Sequence, residues 1–435
     1  MTLAHKTPQV TLEPAFTPEG GQLLPQPLRH LRDIRSKALT EMVLPNRRTE
    51  NWKYSSKHLK LDESLAPLTQ GSGMAVGRAV EGAYRVVIRN GVVDSESSVL
   101  PDQKGVDIQR FADLDEVTAQ SVARRLDTSI DNSTTQIAAL NTARIEDGLL
   151  IRLAPDTSVD KPIYIQCVTD AQQSGSNYPR VLVEAGSGSK MTLVEEYLCE
   201  GGEPVLVDAV TEMTLESNAN VTYIRLCMEP DNVRHVGATG VRMADGTNLD
   251  SHAIGFGGDL RRHDLQVRLE GENGFCRLNG IALTQNRQHY DNHTAIEHVV
   301  PHCDSEETYR CLAGDKSHAV FNGRVHIHRD AQQSHADMNN KNLLLSTNAE
   351  IDTKPELEIY ADDVTCAHGA TIGQLDEASL FYLMARGVDR KTAASMLSMA
   401  FVHELVDQVP LEDVRDVVNA RLSQFIEARF EEAKA

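Results

Sequence analysis

The chain has 435 residues and a formal net charge of −20, and its 40% hydrophobic and 24% charged residues are typical of a folded globular protein. No run reaches the roughly 18 apolar residues of a membrane span, and the acidic balance disfavours nucleic acids and anionic lipid surfaces as partners. Seven cysteines without a CxxC pair, and no basic and apolar leader in residues 1–20, predict a cytoplasmic protein without a disulfide framework or closed zinc site.

Residues 1–110 are expected to form a helical or mixed N-terminal region. A helix is predicted from Leu28 to Met42, and Pro45 follows close behind its end. Residues 48–54 read RTENWKY and contain the single tryptophan. Residues 71–77, GSGMAVG, predict a loop. This loop and residues 186–190, GSGSK, both miss the spacing that a phosphate-binding loop requires.

Residues 111–372 are rich in short alternating segments, which predict strands with one buried face. Turn clusters of Gly, Ser, Asn and Asp separate them about every 27–32 residues, without a clear helix between them. Many short strands are typical of a sandwich, a barrel or a β-helix, and the pattern does not choose among these. The predicted strands are Leu149–Leu153, Ile163–Gln166, Val181–Val183, Met191–Tyr197, Val221–Leu226, Leu265–Leu269 and Ala319–His328.

Residues 373–435 predict a helical C-terminal domain with three apolar stripes. Gly387 is expected to end the first helix, and Pro410 separates the last two. Each stripe can pack on the protein's own core, which is the reading we favour, or present a helical face to a partner.

Two groups of residues suggest metal chemistry. His289, His293, His298 and His302 crowd one stretch, but its strand-and-turn character favours polar, partly exposed histidines over converging ligands. Cys366 and His368 share one face if their strand continues, and a thiolate with an imidazole is a donor pair suited to iron, copper or zinc. Two donors are not a complete site. The alternative interpretation is that Cys366 is a buried structural cysteine and His368 a surface histidine, without a metal.

A longer pattern around these residues resembles the C-terminal signature of the SufB/SufD family. It comprises NLLLS at 342–346, PELEI at 355–359, DDV and CAHGAT at 362–371, and FYL and RG at 381–387. The RTENWKY element is similar to an N-terminal motif of SufD-type members. Gly369 after His368 also resembles these members, because a SufB-type chain carries an acidic residue there.

The resemblance implies a mainly β protein, with a right-handed parallel β-helix between helical terminal regions. It implies a non-catalytic scaffold subunit for iron–sulfur cluster assembly, which pairs with a SufB-like subunit and docks SufC, an ABC-type ATPase. His368, together with Cys366, would hold a transient cluster or iron shared with SufB, and the isolated chain would hold no permanent cofactor. Phe381, Tyr382, Met384 and Arg386 would face SufC.

Three rival functions differ from this one in kind. A polysaccharide-modifying β-helix enzyme would require a secretion signal and a carboxylate cluster, and neither is found. A metalloprotein would use the histidines between His289 and His302 and retain metal in isolation. A homodimer would pair the same face with a second copy when SufB is absent.

Overall fold

The structure is a computed structural model that describes residues 20–39, 45–59, 66–68, 80–131 and 136–431. Its helices are α1 (Gln26–Leu39), α2 (Glu116–Arg125), α3 (Gln136–Arg144), α4 (Glu377–Met384), α5 (Arg390–Val406) and α6 (Glu412–Glu431), with short 3₁₀ turns at Glu50–Trp52, Ser56–His58 and Phe111–Asp113. The strands up to residue 215 are β1 (Tyr84–Arg89), β2 (Val92–Val99), β3 (Val106–Arg110), β4 (Leu149–Leu153), β5 (Ile163–Ala171), β6 (Gly175–Asn177), β7 (Arg180–Ala185), β8 (Lys190–Gly201) and β9 (Val205–Leu215). The later strands are β10 (Asn220–Cys227), β11 (Val233–Met243), β12 (Asn248–Phe256), β13 (Leu260–Leu269), β14 (Phe275–Thr284), β15 (His289–His298), β16 (Asp304–Ala313), β17 (His318–Ile327), β18 (Ser334–Leu344), β19 (Glu350–Ile359) and β20 (Val364–Gln374).

The strands wind into a β-solenoid with two sheets. The first sheet has the order β2-β1-β5-β8-β10-β12-β14-β16-β18-β20, and the second runs β3-β4-β7-β9-β11-β13-β15-β17-β19, with β6 beside β9. From β7 onward successive strands alternate between the sheets, so each further pair adds one coil, to about eight in all. The mainly β fold with a β-helix core and helical ends is therefore confirmed, and the sandwich and barrel are excluded.

The predicted turn clusters form one corner of the solenoid. Gly188, Asn218 and Gly246 occupy corresponding positions in successive coils with φ values of 69°, 62° and 63°. Glycine and asparagine tolerate this left-handed conformation. Their backbone N–H groups donate to the carbonyl of the next coil, as Asn218 does to Asp245 at 2.8 Å. The repeated Gly and Asn residues thus stack the coils.

Central strands of the first sheet are buried on both faces. Val221 and Tyr223 point into the solenoid, whereas Ile224 and Leu226 pack outward. The outward residues meet α5 and α6, for example Val402. The C-terminal helices therefore pack mainly on the protein's own core, as favoured, and Gly387 follows α4 with φ +89° as expected.

None of the described helices combines the length and apolar character needed to span a bilayer.

The N-terminal helices cover the outer face of the second sheet. Helix α1 runs from Gln26 to Leu39, whereas the predicted helix ran from Leu28 to Met42. Residues 40–44 and the predicted loop at 71–77 lie outside the described residues.

Helices α2 and α3 fall in the zone where only strands were expected. Residues 137–145 are all buried. Because polar and apolar residues of α3 are buried alike, its sequence has no apolar stripe opposite a polar face to reveal the helical period. The expected zone boundaries 1–110, 111–372 and 373–435 stay a prediction.

Candidate functional site at the open end

The C-terminal end of the solenoid exposes two strand edges. β20 and β19 are the last strands of the first and second sheets, and no described strand pairs with their outer edges. Nine of the eleven residues of β20 are exposed, whereas β18, one coil inward, alternates between buried and accessible residues. The backbone N–H and C=O groups along such an edge are available to another chain. We call this surface the open end.

Cys366 and His368 lie together at the open end. Across the β18–β20 ladder Cys366 pairs with Ala336 and His368 with Met338, and both partners belong to the solenoid core. Because paired residues in a parallel sheet point to the same face, Cys366 and His368 both lie on the interior face of β20. The prediction that they share a face is confirmed.

The Cys366 side chain is half-buried and packs against the core. This burial raises the pKa of its thiol, and a backbone hydrogen bond with Ala336 offsets part of the effect. The group is consequently a thiol at neutral pH, and it would lose its proton on binding a metal. His368 is exposed.

Neither residue has a complete donor set among the residues that the structure describes. Within the described residues, two groups of three His, Cys, Asp or Glu ligand atoms lie within 4.8 Å of one another: Cys227–Glu229–His235 and His318–Glu350–Asp352. Cys366 and His368 belong to neither group.

The buried group around Glu229 is an ion-pair network. Glu229 accepts hydrogen bonds at 2.8 Å from His235 Nδ1 and from Arg261. Arg225 approaches the other ring nitrogen of His235 at 2.7 Å. Burial alone would raise the pKa of Glu229, but His235 and Arg261 lower it to about 2. Arg261 at Glu229 and Arg225 at His235 thus already supply positive charge to two of the three ligand groups.

Sequence reasoning missed this network. Its only signal is a set of buried charged residues, Glu195 and Arg225 on interior strand positions and Glu229 in the turn after β10. The pattern does not distinguish such positions from solvent-facing ones, because sheets of this fold are buried on both faces.

The four histidines between residues 289 and 302 do not form one cluster. His289 and His293 lie on the outer face of β15, and His298 lies on its interior face, where its Nε2 is 2.9 Å from Ser305 Oγ. His302 occupies a turn with φ +62°. The expectation of partly exposed side chains is wrong for His289 and His298, which are both buried because neighbouring elements cover them.

Helix α4 presents an apolar surface to solvent. Asp376 caps its N-terminus by accepting from Ala378 and Ser379, and only Leu380 of the helix is buried. Phe381, Tyr382 and Met384 are 72%, 56% and 40% exposed. Arg386 stacks on Tyr382, with 3.7 Å between its guanidinium carbon and the ring centroid. All four residues proposed to face a partner are therefore accessible around this short helix.

Comparison with known proteins gives the family of this chain. Residues 167–401, more than half of the chain, match the model described as "SUF system FeS cluster assembly, SufBD core domain". The chain belongs to the SufBD family. The matched range includes β20, α4 and most of α5, so the open end and the exposed helix are parts of the SufBD core.

Individual relatives cover almost the whole chain. The iron-sulfur cluster assembly protein SufD of Escherichia coli is 29% identical over 94% of both chains. An iron-sulfur cluster assembly SufBD family protein of Synechocystis is 29% identical over 90% of this chain and 88% of its own length. The chloroplast protein ABCI7 of Arabidopsis thaliana is 29% identical over 90% of this chain and 84% of its own length.

Proposed function

We propose that this chain is a non-catalytic scaffold subunit, which pairs with a SufB-like subunit through the open end and docks a SufC-type ATPase at α4. Two features of β20 carry the proposal. No described strand pairs with its outer edge, and Cys366 and His368 lie on its interior face. An edge of this length favours addition of a partner's strand, and the incomplete donor set beside it needs donors from a second chain.

A nascent iron–sulfur species, or iron alone, is the cargo of this site. His368 supplies an imidazole nitrogen to it, since imidazole can ligate iron in such clusters. Cys366 supplies a second donor once its thiol is deprotonated. The SufB-like subunit contributes the remaining ligands, so the cargo is held only in the assembled complex.

The ATPase binds the exposed residues of α4. Aromatic residues, Met and Arg are enriched at interfaces, and Phe381, Tyr382, Met384 and Arg386 supply these types on one short helix. The helix is joined to α5, which packs on the first sheet. Movement of the ATPase can therefore be transmitted through α5 to the solenoid.

The setting we propose is the cytoplasm, where thiols remain reduced. All seven cysteines are free in the structure, and five are buried. Free cysteines fit a reducing compartment.

A second copy of this chain can occupy the same edge when the SufB-like subunit is absent, because the unpaired strand does not by itself select its partner.

Co-expression with SufB and SufC counterparts, together and singly, tests the function. Complex mass and iron content should show binding to both partners, with iron present only when SufB is present. A chain that binds neither partner and holds stoichiometric metal would refute the proposal.

A further inference from the structure

A second group of ligand-type side chains lies on the outer face of the second sheet. His318 of β17 pairs directly with Glu350 of β19, and Asp352 lies two residues further on the same face. One ligand atom from each residue lies within 4.8 Å of the other two. This group differs from the buried network around Glu229, because no arginine is bonded within it.

The spacing of these atoms suits a bound ion. His318 Nε2 and Asp352 Oδ2 are 2.8 Å apart. Two ligands that each lie about 2.1 Å from an ion are separated by about 3.0 Å at adjacent positions of an octahedral centre and by about 3.4 Å at a tetrahedral one. Small side-chain rotations would thus replace this hydrogen bond with two metal–ligand bonds.

His289 provides an independent observation beside the group. Its ring meets that of His318 edge-to-face, with 4.8 Å between centroids, and its side chain is buried. His289 Nε2 lies 2.7 Å from Ser55 Oγ, whereas its Nδ1 is buried and has no hydrogen-bond partner among the described residues. A buried ring nitrogen without a partner is uncommon, and it marks unmet polar capacity directly beside the group.

Glu350 and Asp352 bring two carboxylates to the group, and the nearby cations are Lys354 and, beside His289, Lys57. Lys354, the next outward-facing residue of β19, is bonded to Glu50 and to Glu356 and so does not neutralise Glu350 or Asp352. Tyr54 of the N-terminal segment lies edge-on to His318 at 5.9 Å and covers one side. Imidazole and carboxylate donors suit zinc, iron(II) and manganese better than the thiolate-preferring copper(I).

We propose that His318, Glu350 and Asp352 bind a divalent first-row transition ion beside the buried ring of His289. The site does not depend on the proposed function. It lies on the outer face of the second sheet, whereas His368 lies on the interior face of the first sheet's last strand.

The test uses the full-length chain, stripped of metal with a chelator and titrated with Zn²⁺ by calorimetry and with Co²⁺ by visible absorption. His318→Ala and Asp352→Asn should each weaken Zn²⁺ binding at least tenfold and reduce the Co²⁺ bands. Asp352→Asn preserves size and removes only charge, so it remains informative if His318→Ala unfolds the chain.

His403→Ala on α5 is the matched control and should bind like wild type. His368→Ala should also leave this binding unchanged. Failure of the wild-type chain to bind either ion would overturn the proposal. Equal binding by wild type and both site variants would overturn it as well, as would loss of binding in His368→Ala.

Discussion

His368 lies opposite Met338 across the ladder between the last two strands of the first sheet. Met338 is 1% exposed in the solenoid core, but His368 is exposed because no described strand covers β20. The same interior position is therefore a core position in one coil and a surface donor in the next. This relationship explains how a repeating fold places an imidazole at its end without a dedicated loop.

Replacing His368 with Ala should reduce the iron retained by the co-expressed complex at least about tenfold, because one cargo donor is lost. Iron per complex after purification is the measurement. His335→Ala is the matched control, since His335 lies on the outward face of β18 one coil away. Unchanged iron in His368→Ala would exclude the ligand role.

The double variant Phe381→Ala and Tyr382→Ala should weaken binding of the SufC-type ATPase. Loss of exposed aromatic anchors costs about 2 kcal/mol or more, which is roughly thirtyfold in affinity. Calorimetry with the purified ATPase measures this change. Val117→Ala removes an exposed apolar residue from α2 instead and should have no effect. Equal affinities for both variants would place the ATPase elsewhere.

Trp52→Ala should destabilise the whole solenoid. Trp52 is buried, and the Arg262 guanidinium carbon lies 4.0 Å from its ring centroid. Removing a buried tryptophan costs about 3–5 kcal/mol, and a desolvated cation–π contact adds to this. Urea unfolding should show a lower midpoint, while the exposed Lys53→Ala leaves it unchanged. Equal midpoints would mean that RTENWKY does not anchor the N-terminal segment.

Glu307 should make stability depend on pH. Burial in the solenoid interior raises the pKa of its carboxyl to about 8, and nearby Thr294 offsets only part of this effect. The folded state then binds the proton more tightly than the unfolded state, so this contribution to stability is present below about pH 4.5 and is lost as the pH rises to about 8.

Glu307→Gln should therefore stabilise the chain more at pH 7.5 than at pH 5, by at most about 4 kcal/mol at the higher value. Melting temperatures at both pH values measure the difference. Glu306→Gln, on the exposed face of the same strand, is the control. An equal shift at both pH values would show that Glu307 is already ionised.

The sequence allowed the strands and corners to be predicted where side-chain alternation and turn residues report on the backbone directly. Leu149–Leu153 matches β4 at both ends, and Asn218 adopts the left-handed corner that its turn cluster indicated. The resemblance to the SufB/SufD family, rather than periodicity, identified the solenoid. Alternation fixes which residues share a face but not how the sheets close.

The sequence did not reveal contacts between distant segments. His289 meets His58 and His318, far from it along the chain, instead of the neighbouring histidines considered with it. The fold sends His293 and His298 to opposite faces of β15 and brings His289 next to histidines from distant segments. The pair Cys366 and His368 was found because both lie on one strand, where two-residue spacing is informative.

The central claim is that the edge of β20 pairs with a SufB-like subunit, and a proline on this edge tests it. His335 donates its N–H to Cys303 in the preceding coil, and Thr365 pairs with His335. His335 thus directs its backbone groups to β16, and its partner Thr365 directs its own to β18. The backbone N–H and C=O groups of successive residues point to alternate sides of a strand. Ala370 lies five residues after Thr365, so its N–H points to the open edge. Proline is tolerated at such an edge position but cannot donate to an added strand.

The most direct measurement is the fraction of the SufB-like subunit that co-elutes with tagged Ala370→Pro, compared with Ala370→Ser, which retains the N–H. We predict that the proline variant folds with an unchanged circular dichroism spectrum, loses most of the SufB-like subunit and keeps the ATPase. The serine variant should keep both partners. Full recovery of the SufB-like subunit by the folded proline variant would contradict pairing through β20.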